Sequence, residues 1–93
     1  MSKKSNNAKL LYNKVSTILL KEWDPIGIQN IPEAQDEYND YISPICELVI
    51  SGKSEHEIFN YLWWIETEHM GLSGGEQHTK IVAKKLAALA ETL

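Results

Sequence analysis

A chain of 93 residues and 10.6 kDa has room for one compact domain with a limited core, which leaves no space for a second catalytic lobe. Hydrophobic residues at 43% and charged residues at 24% exclude a disordered chain. The net charge of -4 and a pI near 5.3 argue against direct nucleic-acid binding. All nine basic residues are lysines, so there is no arginine fork for bidentate phosphate or base contacts.

Residues 1–7 read as a frayed tail ahead of a single helical domain over residues 8–93. From about Ala8 to Glu22, Leu11, Val15, Ile18 and Leu19 recur at helical spacing. Asp24-Pro25 should stop that helix, because a proline pushes the residue before it out of the α region. A long Pro/Gly loop follows through Gly27 and Pro32. There Trp23, Pro25 and Gly27 are expected to anchor the loop on the core, with no ligand contact. A second helix is expected from Asp36 to Ser51-Gly52, with Tyr38, Tyr41, Ile42, Ile45, Leu48 and Val49 on its core face. Pro44 either kinks it or splits it; one continuous or kinked unit is the preferred reading.

Ser54-Glu55-His56-Glu57 has the pattern of a capping box, so a third helix starts there and runs to a left-handed cap at Gly71. Its core stripe is Ile58, Leu62 and Ile65, continued by His69 at the core edge. Ser73 to Glu76 repeats the capping pattern and opens a fourth helix with Val82, Leu86, Leu89 and Leu93 on one side. No stretch alternates like a strand. The expected fold is all-α, a compact bundle of about four helices with the long loop between the first two.

Compartment and chemistry follow from what these elements carry. Cys46 is the single cysteine, which excludes an internal disulfide and points to a reduced, cytoplasmic protein; its place in an apolar run disfavours a catalytic thiol. The apolar runs Tyr61–Ile65 and Leu86–Ala90 are too short to cross a bilayer, so no membrane partner is expected. Leu72-Ser73-Gly74-Gly75-Glu76-Gln77 matches the signature of ABC-type ATPases, yet no Walker A loop exists to hold a nucleotide, and a glycine-rich helix link is the better reading. Glu66 and His69 form half of a carboxylate-bridged di-metal motif whose other half is missing. No catalytic residue, metal ligand or cofactor site is expected, and the chain reads as a non-enzyme.

Charge is distributed unevenly. Residues 1–22 carry a net +4, residues 23–68 a net -9, and residues 69–93 a net +1. On the second helix Asp36, Asp40 and Glu47 fall opposite the core face. On the third, Glu57, Tyr61, Trp64 and Glu68 make an acidic and aromatic stripe, while Phe59, Trp63 and Met70 make a further apolar one. Either the third helix is central and its acids form a solvated face, or an aromatic stays exposed among carboxylates. Aromatics rimmed by charge are the usual material of a protein-binding hot spot, and an acidic face speeds encounter with a basic partner.

Trp23-Asp24-Pro25-Ile26-Gly27-Ile28, Asp36-Glu37-Tyr38, Tyr41, the Ile45–Ile50 run, and Tyr61–Glu68 followed by Met70-Gly71-Leu72 resemble a family of small bacterial proteins of unknown function marked by a Trp-Asp-Pro loop. The likeness spans about residues 10–90, with Asn39 where Asp is more usual. Such proteins are similar in size and acidity to the immunity proteins that accompany secreted and contact-dependent bacterial toxins. That resemblance implies a toxin-neutralising protein, monomeric when free, whose cognate toxin is a protein such as a basic nuclease. The candidate contacts are Asp36, Asp40, Glu47, Glu57, Tyr61, Trp64 and Glu68. Two alternatives stand beside it: a housekeeping interaction module or homodimer built on the third helix, and an enzyme whose pocket would join His69 to Glu66.

Overall fold

Leu11, Val15, Leu19 and Trp23 are spaced at every fourth residue, and all four are buried, the first two on the first helix and the last two on the turn that continues it. The computed structural model describes residues 2–28, 30–34, 36–73 and 75–92, without the side chains of 2–7 and 92. Among the described residues the fold is all-α, with four α-helices and no strand: α1 (Ser2–Ile18), α2 (Asn39–Ile50), α3 (Glu55–Trp64) and α4 (Glu76–Ala88). α1 packs chiefly on α2, and α3 chiefly on α4. Between these pairs lies one core of Val15, Leu19, Ile42, Ile45, Val49, Ile58, Leu62, Ile65, Val82 and Leu86, together with Trp23 and Tyr38. Each large side chain buried there contributes about 1.5–3 kcal/mol.

α1 begins at Ser2, ahead of the start expected at Ala8. It runs directly into a π-turn, Leu19–Trp23, closed by the Asp24 amide donating to the Leu19 carbonyl at 2.9 Å. The stop that follows differs in kind from the one expected. Asp24 does not become extended before Pro25; it adopts the left-handed region at φ 32°, a conformation that non-glycine residues rarely take. Its carboxylate holds it there, because Oδ1 accepts from the Ile28 amide at 2.7 Å and from the Tyr38 hydroxyl at 2.8 Å. The Tyr38 oxygen in turn accepts from the Ile26 amide at 3.2 Å. The corner is thus pinned to the start of α2, and a 3-10 turn, Pro32–Ala34, carries the rest of the loop.

α2 starts at Asn39, three residues later than expected. It is continuous through Pro44, with Ile42, Ile45 and Val49 buried and Tyr41 and Leu48 half-buried. Gly52, at φ 73°, ends it. The cap expected for α3 is present: Ser54 Oγ accepts from the Glu57 amide at 3.2 Å. α3 does not run on as an α-helix to Gly71. From Ile65 to His69 it is a π-turn, closed by the Met70 amide on the Ile65 carbonyl at 2.7 Å. Thr67 supplies a cause, since its hydroxyl donates at 2.7 Å to the Trp63 carbonyl, the acceptor that an α-helical amide of residue 67 would use.

The second expected cap is corrected as well. α4 is preceded by Gly75, not Ser73, and no side chain caps it. Val82 and Leu86 are buried and Leu89, in a closing 3-10 turn (Leu89–Thr92), is half-buried. Gly74 and Leu93 lie outside the described residues. No described helix is long and apolar enough to cross a membrane.

Candidate functional site

An α-helix advances about 100° per residue, so residue i+5 points well away from residue i; a π-turn, closed by i to i+5 bonds, brings the two onto one side. The Ile65–His69 π-turn has that effect on two residues. His69, expected at the core edge, is exposed and stacks on Trp64 with ring centroids 5.8 Å apart and planes 19° apart. Glu66, which the α pattern leaves without a core role, is turned inward and is only 3% exposed.

On the outer side an aromatic row results. Tyr61, one turn before Trp64, stacks on it at 6.4 Å and 18°. Tyr41 of α2 meets the His69 ring edge-on at 6.0 Å, and at 6.2 Å it also meets Trp23 of the core. Trp64 is the exposed member, with 52% of its surface open to solvent. Burial, then the negative charges of Asp40 and Glu37, hold the Tyr41 phenol above its ordinary value. Burial, then Tyr41, does the same to Tyr61.

The seven expected contact residues therefore divide. Tyr61 and Trp64 are joined directly, Asp40 is tied to them through Tyr41 and His69, and Glu68 is exposed in the π-turn beside His69. Asp36 is exposed in the turn before α2, and Glu47 is exposed further along that helix; no contact among the described residues links either to Trp64. Glu57 is exposed and engaged with Lys53 at 3.9 Å. The other described ion pairs, Lys80–Glu76 and Lys85–Glu22, involve none of the seven. His69 and Tyr41 belong to the patch and were not among the seven, and Glu37 is near enough for its charge to act on the Tyr41 phenol.

On the inner side Glu66 closes a polar knot. Its Oε1 accepts from Trp23 Nε1–H at 2.5 Å and from the Thr79 hydroxyl at 2.5 Å, so one carboxylate oxygen joins both π-turns to α4. Next to it lies a cleft of about 330 Å³ lined by Trp23, Asp24, Pro25, Glu66, Leu72, Gly75 and His78. His78 Nε2 lies 3.2 Å from the Trp23 carbonyl oxygen, which can only accept, so Nε2 carries the proton. Trp23 thus plugs the core as expected, but Pro25 lines a cleft as well as the loop. Glu66 is buried and lines this cleft, whereas His69 is exposed and stacked on Trp64, so this cleft does not join the two. Among the described residues no group of three or more His, Cys, Asp or Glu could hold a metal ion.

No protein-family model, curated protein or solved structure matches the chain.

Proposed function

We propose that this is a non-enzymatic, toxin-neutralising immunity protein, which acts in the cytoplasm by binding a cationic protein toxin through the face centred on Trp64. The supporting observation is Trp64 itself, half-exposed yet stacked on both the Tyr61 and His69 rings. Its orientation is largely set before any partner arrives, which reduces the ordering cost of binding. Burying a pre-positioned tryptophan is the kind of event that dominates protein interfaces. The rim is negative: Asp40, Glu37 and Glu68 are exposed and form no ion pair among the described residues. Such a rim favours encounter with a basic surface, for example the substrate groove of a nuclease.

The test is co-expression with the product of the neighbouring reading frame, which this reading takes to be the toxin. The two should co-purify. Lysine substitutions at Asp40 and Glu68 should slow association and flatten its salt dependence, whereas the same change at Glu57, already paired, should do little. Equal affinity across all three would refute this choice of face. Light scattering of the free protein checks the alternative: a stable dimer abolished by Trp64→Ala would make the same patch a self-interface.

A further inference from the structure

We propose that the cleft between the Trp23–Pro25 corner and the start of α4 binds an organic cation, an alkylammonium or guanidinium group, with Glu66 as its anionic anchor. The carboxylate is 3% exposed, and among the described residues no lysine pairs with it: the lysine–carboxylate pairs there join Lys53 to Glu57, Lys80 to Glu76 and Lys85 to Glu22. Its two hydrogen bonds, from Trp23 and Thr79, both end on Oε1, and Oε2 makes none with the described residues. No buried side-chain nitrogen or oxygen among those residues lacks a partner. Oε2 therefore reaches the surface of the cleft that Glu66 lines.

A carboxylate removed from water without a counter-cation is costly to keep. Here it is also fixed in direction by two donors from separate elements, which is how a binding group is pre-organised. The volume of about 330 Å³ accommodates one basic side chain with a few waters of about 30 Å³ each. Pro25 and Leu72 supply apolar wall for the methylenes of such a chain. The cation is organic, since the cleft converges too few donors for a metal. This site is separate from the Trp64 face and stands whether or not that face binds a toxin. The same head group is carried by a free small amine and by a lysine or arginine that a protein presents.

The reporter is built in, because Trp23 Nε1–H donates to the anchoring carboxylate. Proton–nitrogen spectra of the indole groups are followed during titration with n-butylammonium, ethylguanidinium, a blocked tripeptide with central lysine, and neutral n-butanol. The Trp23 signal should move saturably in the millimolar range with the cations and stay in place with butanol. Glu66→Gln leaves an oxygen acceptor for Trp23 and Thr79 but removes the charge, so its spectrum should remain folded and its cation affinity should fall about tenfold or more. The tripeptide binding more tightly than the free cations would identify a protein side chain as the natural occupant, and the reverse a small amine; both uphold the site. An unmoved Trp23 signal in the unmodified protein, an equal response to butanol, or equal affinity in Glu66→Gln would overturn it.

Discussion

Thr79→Val isolates the polar knot at the centre of the fold. Thr79 is fully buried at 0% exposure, and its hydroxyl donates at 2.5 Å to the carboxylate of Glu66, itself only 3% exposed. Valine has nearly the same shape and helix propensity, so the substitution removes the donor and little else. A hydrogen bond to a charged group contributes about 1.5–3 kcal/mol, and the carboxylate would keep only Trp23 as donor. A chain of 93 residues has a total stability of roughly 5–14 kcal/mol at about 0.05–0.15 kcal/mol per residue. At about 4–8 °C per kcal/mol for this size, the midpoint should fall by about 6–24 °C. Urea denaturation followed by far-UV circular dichroism reads the loss. In a Glu66→Gln background the bond is neutral and contributes about 0.5–1.5 kcal/mol, so the two substitutions should couple by about 1 kcal/mol. A Thr79→Val protein within about 0.5 kcal/mol of the unmodified one, or an equal loss in both backgrounds, would refute the reasoning.

At the Asp24 corner, Asp24→Ala should cost about 2–4 kcal/mol in urea denaturation, because the Ile28 amide and Tyr38 hydroxyl lose their acceptor. Asp24→Asn, which tolerates the left-handed backbone and keeps an oxygen, should cost under about 1 kcal/mol. Tyr38 predicts a specific alkaline behaviour. Burial, reinforced by Asp24 and Glu37 against a lowering from the Ile26 amide, pushes its phenol well above the ordinary value. The unfolded chain therefore loses that proton first. The stabilisation is complete below about pH 10 and is lost above it, at about 1.4 kcal/mol per pH unit. Tyr38→Phe should flatten that descent, and identical slopes in the two proteins would contradict the assignment. Leu62→Ala, at a position with 0% exposure, should cost about 2–5 kcal/mol and so remove a large share of the total stability.

The four helices were legible because the core repeats at 3.6 residues: Ile42, Ile45 and Val49 on α2, and Ile58, Leu62 and Ile65 on α3, are buried as their spacing requires. Ser54 and Gly71 were legible because capping and left-handed geometry select particular residue types. The two π-turns were not, since widening a turn by one residue leaves no mark in composition. That slip sent His69 out and Glu66 in. Ser73 failed as a cap because the helix begins two residues later than the pattern places it, after Gly75. Tyr61 and Trp64 could be paired from their i, i+3 spacing. The Trp23–Glu66 bond, spanning 43 residues, depends on tertiary placement that no local pattern encodes.

The most direct test of the proposed function is the affinity of the neighbour-encoded protein for the unmodified chain and for Trp64→Ala, measured by titration calorimetry. Trp64 is 52% exposed and outside the core, so its removal should leave helical circular dichroism unchanged. As the centre of the interface it should account for about 2 kcal/mol or more, a loss of affinity of about thirtyfold. Binding of Trp64→Ala as tight as that of the unmodified chain, or no binding to either, would contradict the account.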